Sequence, residues 1–381
     1  MGISNVAVVI IVLVAIYFAY ILSRRHEINW SIMDTYMSHP MCHKVGEGVL
    51  YGPEDMTFAG DNIVFVSSHD RRNLLSSGTI FTVNTKNERV AQCLFDQVPP
   101  SFRPHGIAVA ECEGHSRLFV ISHRFSGEYW HAIEVFDYTP GKSVTTLKHV
   151  KTLTSQHLVS PNDLIALNCE ELIVSNDHGT DFIPQMIFDD LFRRRTANMV
   201  HFDGHQWAPI SAPPDAAFGN GLVLRQGAEG QEYLIRSSCI DFSLLTYAIR
   251  RGGGGEGTGG GRGGSTVELE LLHEEKLPFA PDNIEHDKTS GGILITGHPS
   301  TSDVVLHALF KTPSPSVAVL YYGMGNYSTV YYAPKGLEIS GSSVAVRSTD
   351  QKLFIGQICD PYILVCEPYD DNEAGYDERE G

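Results

Sequence analysis

Five short clusters of oxygen-bearing and imidazole side chains stand at a similar phase along this chain: Glu54-Asp55, His105-Gly106-Ile107, Asn162-Asp163, Asn220-Gly221 and Asp282-Asn283. Carboxylates and amides are hard oxygen donors. A set rich in them, without clustered Cys or His, suits calcium rather than zinc. Glu54, Asn162, Asn220, Asp282 and Asn283 make one candidate group, with two carboxylates and three neutral amides whose summed charge cancels a divalent cation. A cation held this way with an open coordination position polarises a carbonyl oxygen and stabilises an oxyanion. Asp55 and Asp163, pointing to the opposite side of their strands, make a second and structural group with a backbone carbonyl such as that of Ile107. A single Asn-Asp pair usually marks a turn. Recurrence at a shared phase is the argument for ligands.

The elements that position these clusters are announced by six apolar runs that begin at Ile63, Leu118, Leu172, Tyr233, Ile293 and Leu353, spaced 55, 54, 61, 60 and 60 residues apart. Each cluster precedes one of the first five runs by about ten residues. The runs are β-branched or aromatic and bounded by Gly, Asn, Asp, Ser and Pro, which reads as strands. So long a period exceeds helical solenoid repeats and fits four-stranded blades, so the fold class is all-β, a six-bladed β-propeller. The runs are then second strands, and the clusters fall on the first strands that line the central channel. Met186 to Arg195 breaks the pattern and reads as a short amphipathic helix. Gly252 to Ser265 is nearly pure glycine and is expected to be a disordered loop. The tail from Asp370 carries six acids against one Arg and is expected to be solvated.

With 381 residues, 42% of them hydrophobic, the chain can bury a large core. A formal charge of -17 repels phosphate backbones and argues against a nucleic-acid partner. Val6 to Leu22 is uninterrupted apolar sequence at the lower length limit of a bilayer span. No basic n-region or small-residue cleavage site accompanies it, so an uncleaved anchor is expected over a signal peptide. Arg24 and Arg25 would place the remainder in the cytosol. The sequons Asn29-Trp-Ser and Asn326-Tyr-Ser and the cysteines point instead to a lumenal or extracellular main domain, with secretion as the variant outcome. The expected organisation is an anchor over 1–25, a linker over 26–41, the propeller over 42–367 with the glycine loop at 252–264, and the acidic tail over 368–381. Seven cysteines allow three pairs. Cys42 and Cys366 flank the repeats, and a bridge between them would fasten the ends of a ring; Cys359 competes for Cys42.

Gly52-Pro-Glu-Asp, Phe102-Arg-Pro-His-Gly-Ile, Pro161-Asn-Asp-Leu-Ile-Ala, Ser175-Asn-Asp-His, Phe218-Gly-Asn-Gly, Asp282-Asn-Ile and Gly297-His-Pro resemble, in order, the motifs of the paraoxonase/arylesterase family over about residues 40 to 367. The resemblance implies a six-bladed propeller with two calcium ions that hydrolyses lactones, aryl esters and, weakly, organophosphates. It implies Glu54, Asn162, Asn220, Asp282 and Asn283 as ligands of the catalytic ion, and Asp55, Asp163 and the Ile107 carbonyl as ligands of the structural one. It also implies His105 as the base that activates water with His123 behind it, Asp177 and His298 at the channel mouth, the Cys42–Cys366 bridge, and glycosylation near Asn326. Imidazole titrates near neutral pH, which suits the base.

The segment His69-Asp-Arg-Arg-Asn-Leu-Leu and the region from Asp181 to Pro214 depart from the family pattern, so the metal core is the firmer expectation and the substrate the weaker one. The leading reading is a calcium-dependent hydrolase of lactones and aryl esters. The rival is a membrane-anchored, non-enzymatic chaperone or accessory subunit for membrane proteins such as ion channels, a layout this chain resembles. A gluconolactonase-like propeller fits the clusters less well in order and context.

Overall fold

A computed structural model describes residue 19 and residues 41–73, 75–124, 129–139, 146–210, 215–227, 230–252 and 266–368. The expected anchor apart from residue 19, the Asn29 sequon, all but the first residue of the glycine loop and the acidic tail from Asp370 lie outside the described residues.

The apolar runs become strands because they are buried on both faces. The segment Ile293–His298 is buried at every position and Leu353–Gln357 likewise. A strand with no solvent-facing side must lie between two packed sheets. Six sheets provide that arrangement. Blade one is β2 (Pro53–Phe58), β3 (Ile63–Ser68), β4 (Thr79–Asn84) and β5 (Val90–Gln92). Blade two is β7 (Pro104–Cys112), β8 (His115–His123), β9 (His131–Tyr138) and β10 (Thr146–Leu153), with the short β6 (Leu94–Phe95) added at its edge. Blades three to five begin with β11 (Pro161–Ala166), β15 (Gly219–Gln226) and β19 (Ala280–His286), and continue through β12 (Leu172–Asn176), β16 (Glu232–Ser238) and β20 (Ile293–His298) as second strands. Blade six joins β23 (Ser342–Arg347), β24 (Leu353–Gln357) and β25 (Ile363–Cys366) to β1 (Cys42–Val45) from the other end of the chain.

All six expected runs are therefore second strands. The core lies between blades: Ile173 of β12 and Leu234 of β16 belong to one buried cluster, and Ile295 of β20 shares another with Ile235 of β16.

The first strands surround the axis, each against the next, and each breaks its ladder at one phase. The register slips between Pro53 and Asp55, Pro104 and Ile107, Pro161 and Asp163, Gly219 and Leu222, Pro281 and Ile284, and Ser342 and Ala345. A bulge bends a strand and re-aims the side chains beside it. Here it aims them where the axis runs.

Because blades are antiparallel, the loops after the second strands emerge beside the starts of the first strands. Two of these loops carry helices, α1 (Ile183–Leu191) and α2 (Thr301–Phe310). The sequence pattern places a helix from Met186 to Arg195, but α1 starts earlier, where Pro184 in the first turn needs no N–H partner, and stops before Arg193, whose φ is 49°.

Candidate active site

Five of the six bulges gather side chains beneath a cavity of about 310 Å³. Its floor holds Glu54, His105, Asn162, Asn220, Asp282 and His298, and its walls include Phe218, Ile240, Val304, Val305 and Ile358. Apolar walls over a few convergent polar groups are the usual form of a small-molecule site. The axis is narrow here. A Cβ on Gly106 would lie 2.5 Å from the Asn162 carbonyl oxygen, and one on Gly221 would lie 2.7 Å from the Ile284 nitrogen. Glycine at both positions lets neighbouring first strands touch.

Two of the three amides donate to neighbouring carboxylates. Asn283 Nδ2 donates to Glu54 Oε1 at 3.0 Å, and Asn220 Nδ2 donates to Asp282 Oδ1 at 2.6 Å. Their acceptors are left over: Asn162 Oδ1, Asn220 Oδ1 and Asn283 Oδ1 are buried with no hydrogen-bond partner. A buried polar atom without a partner costs about 1–3 kcal/mol. Three amide oxygens bare at one place, with two carboxylates among them, form a donor set that fits a hard cation. Among the described residues no three His, Cys, Asp or Glu gather as a metal cage. The convergent oxygens are chiefly those of amides.

On the other side of the couplets, Asp55 accepts from the Ile107 N–H at 2.6 Å, and Asp163 accepts from the Leu222 N–H at 2.6 Å, tying blade one to two and three to four. Burial raises Asp55 well above the carboxylate range, with the charges of Asp163 and Glu54 adding, and burial likewise raises Asp163, with Glu285 and Glu54 adding. Glu285 was not singled out by sequence; its carboxyl is also pushed up by burial and by Asp55. Glu54 differs. Burial would raise it, but the charge of His105, the hydrogen bond with it, Arg71 and Asn283 together bring it down to about 2.

His105 Nε2 lies 3.3 Å from Glu54 Oε2, and His105 Nδ1 lies 2.7 Å from His123 Nε2. A third ring continues the line, with His123 Nδ1 2.8 Å from His131 Nδ1. Burial, then the charges of His105 and His131, hold His123 well below the usual imidazole range. His298 Nε2 contacts Asp282 Oδ2 at 2.9 Å, so it backs a floor carboxylate. Asp177 lines the cavity while accepting from Ser160 and contacting His178 at 2.8 Å.

A family model described as Arylesterase matches residues 38–229 and 264–367. The chain belongs to the arylesterase family. Curated relatives are distant. Serum paraoxonase/arylesterase 2 of Bos taurus is 24% identical over 332 residues, covering 84% of this chain and 86% of the relative. Serum paraoxonase/lactonase 3 of Oryctolagus cuniculus is 27% identical over 327 residues, 82% of this chain and 85% of the relative. Among solved structures, a glucose dehydrogenase aligns with a TM-score of 0.51 at 10% identity over 87% of this chain and 100% of the other, a likeness of fold alone.

The arylesterase motifs thus sit together on one axis: every residue named from them lies in or beside the floor, except the bridge and the sequon. Cys42 and Cys366 are disulfide-bonded across β1 and β25, and a second bridge, Cys112–Cys169, joins blade two to the turn of blade three. Cys359 is a buried free thiol. Asn326 is exposed at the start of β22 (Asn326–Ala333). Sequence reasoning missed Arg71, which lines the cavity and donates to the Gly52 carbonyl at 3.0 Å and to Glu54 at 3.4 Å. The Arg71-Arg72 pair in the divergent loop was its only signal.

Proposed function

We propose that this protein is a calcium-dependent hydrolase of carboxylic esters, with lactones and aryl esters as its substrates. The observation that carries the reading is the trio of bare amide oxygens from Asn162, Asn220 and Asn283 beside Glu54, Asp282 and an imidazole at the base of an apolar cavity. Those five residues would hold a catalytic calcium, which when bound polarises the substrate carbonyl and stabilises oxyanion charge. Asp55, Asp163 and the Ile107 carbonyl would hold a structural calcium. The relatives' names, serum paraoxonase, arylesterase and lactonase, support the substrate class.

The chain's own groups do the rest. His105 faces the cavity through Nε2 and takes the proton of an attacking water there, while Glu54, ionised at neutral pH, stands 3.3 Å away to stabilise the imidazolium. His123 holds the other ring nitrogen. The hydrocarbon of Val304, Val305 and Ile358 shields an ester's alkyl or aryl part from solvent. Two disulfides support an oxidising, lumenal or extracellular setting for the domain. With the apolar stretch from Val6 to Leu22, they support a membrane anchor holding it there.

The test is a panel of lactones, phenyl acetate and a dialkyl aryl phosphate, assayed with and without chelator. Turnover of a lactone or phenyl acetate should vanish with chelator and return with calcium. Asp282→Ala should reduce it to background, and His105→Gln should lower kcat by roughly 100-fold or more. A protein that binds calcium yet turns over nothing in the panel would instead point to the accessory-subunit role.

A further inference from the structure

One charged group at the cavity takes no part in the proposed hydrolysis. Arg71 lines the cavity, and its side chain is 22% exposed. The next residue holds its loop in place: Arg72 pairs with Asp360 at 2.7 Å and donates to the carbonyls of His307 at 2.9 Å and Ala308 at 3.3 Å. Those carbonyls lie in the last turn of α2, the helix that brings Val304 and Val305 to the wall. Gly52 makes the fit possible, since a Cβ there would stand 2.4 Å from the His69 carbonyl oxygen and 3.1 Å from Arg71 Nη1. Arg71 is thus set at the cavity by fixed structure.

The guanidinium is under-used where it stands. Nη1 donates to the Gly52 carbonyl at 3.0 Å, but Nη2 lies 3.4 Å from Glu54 Oε2, beyond the roughly 2.7–2.9 Å of a charge-assisted bond. A guanidinium has more N–H donors than these two contacts use. The other carboxylates of the lining are engaged elsewhere: Asp282 with His298 at 2.9 Å, and Asp177 and Asp190 with the two nitrogens of His178 at 2.8 and 3.0 Å. Arg103 adds to the positive charge nearby. Its Nε donates to His69 Nε2 at 3.1 Å, and burial, followed by the charges of Arg71 and Arg103, pushes His69 down to about 3. On the calcium reading Glu54 and Asp282 cancel the cation, and the charge of Arg71 is left uncompensated.

We propose that Arg71 sets the substrate class: the site takes esters and lactones that carry a carboxylate close to the reacting carbonyl, and Arg71 holds that carboxylate in its planar fork. This rests on the hydrolase reading and narrows it. Glu54 Oε2 fixes the spacing, because it lies 3.3 Å from His105 Nε2 and 3.4 Å from Arg71 Nη2. Arg71 and His105 are therefore no farther apart than those two contacts laid end to end. A carboxylate held by Arg71 leaves only a few bonds to a carbonyl attacked beside His105. A compact lactone with a carboxylate on its ring fits that span, and Val304, Val305 and Ile358 receive its hydrocarbon.

The experiment uses matched pairs in which a methyl replaces the carboxylate: a γ-butyrolactone with a γ-carboxylate against its γ-methyl counterpart, and meta-acetoxybenzoate against meta-tolyl acetate. In the calcium-loaded wild type, kcat/KM should favour the anionic member of each pair by roughly 10- to 100-fold, the range of a charged hydrogen-bonded contact. Arg71→Met should remove that preference, and Arg71→Lys should keep part of it. The ratio is read within each variant, so a general loss of activity lowers both members and leaves it unmoved. Turnover without a preference in the wild type overturns the proposal. A preference of equal size in Arg71→Met overturns it too, since the bound cation or another group would then hold the carboxylate. Binding is measured in parallel by calorimetry, with ring ketones in which CH2 replaces the ring oxygen of the two lactones, so that neither can be hydrolysed. The carboxylated ketone should bind the wild type roughly 10-fold or more tighter than the methyl ketone, and Arg71→Met should abolish the difference. Equal binding of the two ketones by the wild type overturns the proposal. If no ester is turned over while the ketone difference holds, the carboxylate site stands and the hydrolase reading alone fails.

Discussion

His178 carries the opposite character to the rings around His105. Its side chain is 3% exposed, with Asp177 Oδ1 at 2.8 Å on one nitrogen and Asp190 Oδ1 at 3.0 Å on the other. Burial would lower the imidazole, but hydrogen bonds to both carboxylates and then their charges outweigh it and raise it to about 10. Asp190 itself stays above the usual carboxylate range, because burial with Asp177 and Asp189 outweighs His178. The imidazolium, held from both sides, clamps α1 to the loop after β12 at the cavity wall. The folded state binds this proton more tightly than the unfolded chain, whose imidazole titrates near 6.5. The stabilisation is therefore complete below about pH 6.5 and is lost as pH rises toward 10. Urea midpoints of the wild type should fall across that window, while His178→Gln should start lower and lose the extra slope. Parallel lines for the two proteins would mean that the ring is not charged in the fold.

At the scale of the element, the bulged first strand unites fold and chemistry. Its couplets put adjacent residues on opposite sides, so Glu54 meets Asn283 while Asp55 meets the Ile107 N–H. This much was legible in the sequence, because apolar runs at a 54–61-residue spacing admit few folds and ligand-type residues recur at one phase before them. The rest was not legible, for physical reasons. His131 looks like any residue opening a strand, and only the register of β8 against β9 sets it beside His123. Arg71 reaches the floor through a loop whose path no periodicity records. The sixth repeat has no carboxylate or amide couplet ahead of its run; Ser343 stands at that phase and donates to the Glu54 carbonyl at 2.7 Å, closing the ring with a small side chain. The close approach of first strands has its own test. Gly106→Ala forces a methyl to within 2.5 Å of the Asn162 carbonyl, so β7 and β11 must part. Urea denaturation should show a loss of about 1–3 kcal/mol, as for overpacked cores, together with weaker calcium binding. Unchanged stability would show that the strands yield without cost.

For the molecule as a whole, the decisive feature is where the ring is shut. The floor oxygens come from blades one, three, four and five, so their spacing depends on closure at blade six, where β1 completes the sheet through four residue pairs and the Cys42–Cys366 bridge. That bridge spans 324 residues, against 57 for Cys112–Cys169. By chain entropy the longer loop contributes up to roughly 6 kcal/mol and about 1.5 kcal/mol more than the shorter. The two bridges also differ in what they constrain. Cys112 lies at the far end of β7, away from its bulge, whereas Cys42–Cys366 holds the ring-closing seam within blade six, between β1 and β25. On the proposed calcium reading, a cation bound only by the closed ring would stabilise it by mass action, so ring closure and calcium affinity would be linked. The Cys42→Ala/Cys366→Ala double variant should therefore unfold at lower urea, and it should need more free calcium than the wild type to reach half-maximal thermal protection. The Cys112→Ala/Cys169→Ala variant should lose less stability and keep the wild-type calcium midpoint. If both variants shift that midpoint equally, the bridges act on general stability and the seam has no special hold on the axial site.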